Sequence, residues 1–145
     1  MGNCVYNTFI NNDCSCPGSL GLNNIIIDMG MVSKLSFKLN RLKCLLNSEH
    51  QGDEIYVRYK GQKIWPENKK WHRITEGDEV ILNVKQAVGN IGDKVELELW
   101  ECDFLSQSKL GNFIFLPDSP GGPFTVDMLT KNGKAKYSLI WEVIE

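Results

Sequence analysis

Lys94–Leu116, KVELELWECDFLSQSKLGNFIFL, is the stretch on which the reading of this chain turns. Val95, Leu97 and Leu99 alternate with Glu96 and Glu98, the period of two that a strand needs to lay one face on a core. The alternation breaks at acids clustered around Trp100, namely Glu101 and Asp103, and strand character resumes after Gly111 in NFIFL. Two ordinary strands therefore flank an acidic bend, and the bend requires an explanation.

The same period recurs on both sides. DEIYVRYKGQKIW sets Ile55, Val57 and Tyr59 against Glu54, Tyr56, Arg58 and Lys60, and the Lys60-Gly61 pair reads as a tight turn into a second strand. In KLSFKLNRLKCLL, Leu35, Phe37 and Leu39 share one phase and Leu42, Cys44 and Leu46 a shifted one, as a bulged strand or two strands would. DEVILNVKQAV carries Val80, Leu82 and Val84, and GNIGDK turns into the opening stretch. FTVDML and AKYSLIWEVIE follow NFIFL, set apart by PDSPGGP and KNGKA, with Tyr137, Leu139, Trp141 and Val143 on one side of the last run.

About eight short strands with turn signals at roughly eight- to twelve-residue intervals, and no run of helical period, predict an all-β fold: an antiparallel eight-stranded β-sandwich. A lipocalin-like barrel is the competitor, disfavoured because the long series of regular hairpins it prefers is missing. The sandwich is assigned to residues 34–145. Residues 1–33, rich in Asn, Gly, Ser and Cys, read as an N-terminal extension that is partly flexible, with one strand-like patch at Ile25–Ile27.

At 145 residues the chain is long enough to bury roughly 68–70 % of its unfolded surface without a covalent staple. A net charge of −2 argues against a globally basic nucleic-acid binder, so any attraction to anions has to be local. Five cysteines, an odd number, and an N-terminus without a signal-peptide pattern point to the cytoplasm. Cys4, Cys14 and Cys16 lack the spacing and the neighbouring histidine of a zinc site, while MGNCVY approaches an acylation signal at Gly2 and Cys4 but has Tyr6 where Ser or Thr belongs. No apolar run reaches the roughly eighteen residues of a spanning helix.

Two segments taken together, NSEHQGDEIYVRYKGQKIW and VELELWECDFLSQSKLGNFIFL, resemble the C2 domain, the calcium- and lipid-binding sandwich first defined in protein kinase C. Gly52-Asp53-Glu54-Ile55-Tyr56-Val57 stands where that family has its first acidic loop and following strand. Leu99-Trp100-Glu101-Cys102-Asp103 with Leu110-Gly111 stands where it has its later acidic bend. The resemblance spans roughly residues 34–145 and implies that both bends meet at one rim, where carboxylates from each would supply oxygen ligands to calcium. It nominates Asp53, Glu101 and Asp103 as metal ligands, with Asn47 where the family has a further Asp. The chain departs from the pattern again at Ser108 and Lys109, where a third acid belongs and Lys109 brings a positive charge.

A lysine-rich docking face is a second family feature. In RYKGQKIWPENKKWHR the cations Arg58, Lys60, Lys63, Lys69, Lys70, His72 and Arg73 are interleaved with Tyr59, Trp65 and Trp71. Each cation near an anionic leaflet contributes about 1 kcal/mol, so Lys60, Lys63, Lys69, Lys70 and Arg73, with Trp65 exposed at the interface, form the candidate anion-binding surface. Alternating lysines on exposed strands also protect sheet edges, which is the plainer role for the same residues. Trp100 and Trp141 are expected in the core.

Nothing in the chain signals catalysis. His50 and His72 lie apart, no nucleophile elbow or phosphate loop is present, and the prolines of PGGP remove backbone donors. The expectation is a non-enzymatic β-sandwich binding module, cytoplasmic or peripheral to a membrane, that docks an anionic lipid surface or a partner protein. It requires no cofactor, calcium being the one candidate, and no nucleic acid is expected. Two alternatives stand beside it: a structural or assembly subunit of a bacterial secretion, injection or surface apparatus, oligomeric through strand edges, and a carbohydrate-binding sandwich stacking sugars on Trp65 and Trp71.

Overall fold

A computed structural model of the protein describes residues 33–145, and the expectations for the cysteine group, the acylation signal and the Ile25–Ile27 patch lie outside the described residues. Among the described residues nine strands form: β1 (Ser36–Leu46), β2 (Asp53–Tyr59), β3 (Gln62–Trp65), β4 (His72–Ile74), β5 (Glu79–Ala87), β6 (Val95–Cys102), β7 (Gln107–Phe115), β8 (Gly121–Leu129) and β9 (Lys136–Ile144). The ninth, relative to the eight expected, is β4. Its three residues are too few for an alternation to be seen, and it exists because it pairs with β2.

The strands make two antiparallel sheets. One runs in the order β5-β1-β9-β8, and the other in the order β3-β2-β6-β7 with β4 added on β2. The protein is thus the all-β antiparallel sandwich that the alternating runs imply. The phase shift within β1 is a bulge at Asn40: Leu39 and Arg41 pair with Trp141 and Ile140 on β9, leaving Asn40 unmatched. The extra residue returns Leu42 and Cys44 to the inward face already occupied by Phe37 and Leu39, and all four are fully buried.

Aromatic rings join the sheets. Phe37 on β1 meets Tyr59 of β2 and Phe115 of β7 edge-on, with centroids 5.4 and 5.6 Å apart, and Phe115 stacks on Trp141 of β9 at 4.0 Å. Trp141 is in the core as expected. At the seam between β7 and β8 the backbone of Gly111 lies so close to Met128 that a Cβ there would fall 2.5 Å from the thioether sulfur.

Trp100 departs from expectation. Val95, Leu97 and Leu99 occupy the inward phase of β6, so Trp100 falls on the outer face, where it is half-buried. There it stacks on Tyr56 at 6.2 Å, is covered by the Arg58 guanidinium at 4.8 Å, and donates its indole N–H to Glu98. Trp65, expected at the surface, is buried. The pairing of Trp65 with Val57 sets it in an inward register, and its ring lies 5.5 Å from His72.

Because Phe37 touches rings on two strands of the opposite sheet, its truncation should open a cavity that neighbours cannot fill. Phe37→Ala is expected to lower unfolding free energy by about 3–5 kcal/mol, read as a shift of the urea midpoint at unchanged m-value.

Candidate functional site

The acidic bend and the turn at Gly52 do meet. Asp53 opens β2, Glu101 lies near the end of β6, and Glu101 pairs directly with Ile55, one inward position along from Asp53. Both acids continue an apolar inward phase, Asp53 with Ile55 and Val57, and Glu101 with Leu97 and Leu99. That phase carries both under the rim of the sandwich, leaving Asp53 fully buried and Glu101 7 % exposed.

Asp53 is held by the protein on every side. Its Oδ1 accepts from the Ser48 N–H at 3.0 Å, the Ser48 hydroxyl at 2.8 Å and the Glu49 N–H at 3.0 Å. Its Oδ2 accepts from the Ser48 N–H and from the Tyr137 hydroxyl across the core. Burial, and then the hydrogen bond to Asp53, hold the Tyr137 phenol far above its ordinary range, so it remains a donor. Burial likewise raises the Cys44 thiol, which neighbours Tyr137, to about 11.

Glu101 sits beside these groups without an equivalent set of donors; the Ser48 hydroxyl reaches its Oε1 at 3.4 Å. Burial, a hydrogen bond with Glu49, and the negative charges of Asp53, Glu49 and Asp103 push its carboxyl up to about 8. At neutral pH it is therefore mostly protonated. Asp103 is exposed in the bend and its Oδ1 takes the Phe104 N–H. Asn47 is tied into the first turn: its amide donates to the Glu49 carbonyl and its oxygen accepts the Glu76 N–H at 2.8 Å.

The four residues nominated as metal ligands thus gather at one rim, but of them only Asp103 is exposed, and the oxygens of the other three do not fit calcium. The oxygens of Asp53 are saturated by N–H and O–H groups, Glu101 carries a proton, and the oxygen of Asn47 is hydrogen-bonded within the rim. Among the described residues no three His, Cys, Asp or Glu side chains are arranged to hold a metal ion.

The bend has a second feature that the acids conceal. The Asp103 N–H donates to the Ser106 carbonyl at 2.7 Å and closes a tight loop, leaving Phe104 96 % and Leu105 90 % exposed. Beside it, between β7 and the end of β8, lies a groove of about 700 Å³ lined by Glu101, Ser108, Lys109, Leu129, Lys131 and Asn132, among others. The pair FL was legible in the sequence as two adjacent hydrophobes interrupting a polar bend. The groove was not, because its walls lie far apart in the chain.

The cationic segment forms β3, β4 and the loop joining them. Lys63 donates to the carbonyls of Pro66 and Lys69, Lys69 donates to Nδ1 of His72 at 3.0 Å, and Arg73 pairs with Glu54. Burial and then Lys69 lower the His72 pKa, so it is not a cation at neutral pH. Lys60 and Lys70 are exposed, Lys60 lying over the Tyr59 ring. Trp65, being buried, lends no surface to this face, which leaves Trp71 as its half-buried indole.

No family model matches the chain, and no curated protein matches it. A solved structure described as "Structure of a C2 domain" is similar to it at 13 % identity over 77 % of this chain and 97 % of that one, with a TM-score of 0.43.

Two outcomes follow from the rim. Tyr137→Phe removes a buried hydrogen bond to a carboxylate and is expected to cost about 1.5–3 kcal/mol in chemical denaturation. Glu101 binds its proton more tightly folded than unfolded, so its stabilising effect is complete below its ordinary 4.5 and is lost as pH rises through about 8. Thermal melts should fall across that window, and Glu101→Gln should flatten the fall and melt higher than the parent at alkaline pH.

Proposed function

We propose that the protein is a non-enzymatic binding module that docks an anionic membrane surface with the rim carrying the 103–106 bend. The observation that carries this reading is the adjacent pair Phe104 and Leu105, almost wholly exposed at the tip of a hydrogen-bonded loop. A lone exposed hydrophobe is ordinary, but two large ones side by side on a closed loop are the shape of an apolar tip. Burying each in a lipid interface contributes roughly 1.5–3 kcal/mol.

Two cations, Lys109 and Lys131, line the groove next to this tip, and at about 1 kcal/mol apiece near an anionic leaflet they supply the electrostatic half of the attachment. Lys60 and Lys70 add long-range attraction from the strand edge. The reading needs no calcium, because the oxygens of Asp53 are taken up by hydrogen bonds within the rim. A partner protein with an apolar socket is the competing occupant of the same tip.

Sedimentation with phosphatidylserine-containing vesicles tests the assignment. Binding should weaken with salt, should be indifferent to a calcium chelator, and should drop at least about tenfold in Phe104→Ser/Leu105→Ser, a loss of more than 1.4 kcal/mol. A double variant that sediments like the parent removes the tip from the interface and with it this reading.

A further inference from the structure

The sheet β5-β1-β9-β8 is irregular at its centre, and the irregularity opens a hollow on its outer face. Asn40 is the bulged residue of β1. On the other side of β1 the pairing slips as well: β5 has the four residues from Ile81 to Val84 against the three from Leu39 to Arg41. Within that slip Asn83 is held at a φ of 54°, the left-handed region that asparagine tolerates better than most residues with a side chain. Asn40 and Asn83 both line the hollow, which measures about 430 Å³, and neither side-chain amide bonds to another described residue.

The register fixes what stands around them. Leu39 and Leu42, Leu82, Leu139 and Trp141 turn inward. Arg41 on β1, Ile81 on β5 and Ile140 on β9 are paired side by side and turn outward, with Ile81 70 % exposed. Lys38, the next outward position on β1 across the bulge, and Pro123 on β8 complete the lining.

The charges on this face are unevenly matched. Lys38 lies directly opposite Lys85 on β5, a like-charged pair that is unfavourable on its own, and neither ammonium has an ion pair among the described residues. Glu142 stands opposite Lys38 in β9, but its Cβ lies against the backbone of Gly122 and it does not line the hollow. Arg41 meets Glu79 at 3.6 Å with both side chains well exposed, a contact that water screens. The hollow itself is lined by two cations and no acid.

These groups select a class of ligand. Lys38 and Arg41 donate only and carry charge, which calls for an anionic oxygen. The amides of Asn40 and Asn83 each donate and accept, and their oxygens need a ligand that carries polar hydrogens, which a phosphate or sulfate dianion lacks. Ile81, Ile140 and Pro123 offer apolar ground for a body of C–H groups. A pyranose ring bearing a carboxylate presents all three. We infer that this hollow binds an acidic sugar, a uronic acid residue of an oligosaccharide, with its carboxylate at Lys38 and Arg41, its hydroxyls on Asn40 and Asn83, and its ring over Ile81 and Ile140. The site belongs to the sheet that does not carry Phe104 and Leu105 and is independent of the docking reading.

Trigalacturonate titrated into the full chain at constant ionic strength, followed by amide NMR, reads the hollow directly. Saturable shifts are expected at residues 38–41, 81–85 and 140, and maltotriose, a neutral counterpart, should bind at least about tenfold more weakly. Lys38→Ala/Arg41→Ala should weaken trigalacturonate at least about tenfold. Asn83→Gly keeps the backbone, since glycine takes a positive φ without strain, and removes only the amide; it should weaken binding about threefold or more. Lys134→Ala, in the loop after β8, should leave it unchanged. Absence of saturation, shifts centred elsewhere, or parental affinity in either hollow variant overturns the inference. So does equal binding of maltotriose, and so does displacement by inorganic sulfate or by tetraglutamate at the concentration at which trigalacturonate itself competes, which would make the face a general anion surface.

Discussion

Between Asp53 and the Tyr137 hydroxyl runs a polar bond that crosses this apolar interior. A buried carboxylate is costly unless each lone pair is met, and here three backbone or side-chain groups of the turn at Ser48–Glu49 and a phenol from the opposite sheet meet them. The bond therefore ties three things that the chain brings from far apart: the first turn, the start of β2 and the start of β9. The rim takes its form from this tie, and the rim carries the apolar tip and the groove.

The same tie explains the opening puzzle of the acidic bend. Both oxygens of Asp53 are met by donors. Glu101, one inward position along, finds no comparable set and keeps a proton instead. Two acids in similar registers thus divide into one whose oxygens are fully engaged by donors and one that burial and neighbouring carboxylates keep mostly protonated.

The sandwich was legible because alternation is a property of short windows, and even the bulge at Asn40 showed itself as a change of phase in KLSFKLNRLKCLL. Reading the same phases one residue further would have found the burial of Glu101 and Asp53 and the outward turn of Trp100. The inward place of Trp65 depended on its pairing with Val57 across a turn, which residue spacing within β3 cannot convey. Tyr137 was seen as a core residue, but its bond to Asp53 joins positions 84 residues apart. The groove required strands β7 and β8 to be neighbours in space though they belong to different sheets.

That neighbourhood depends on Gly111. Its backbone rests against the side chain of Met128, which fills the volume a larger residue would occupy. The spacing of the two facing edges is accordingly set by a hydrogen where other residues have a methyl group, and the sulfur acts as a spacer. Oxidation of that sulfur to a sulfoxide would insert a polar oxygen into this seam and force the two edges apart.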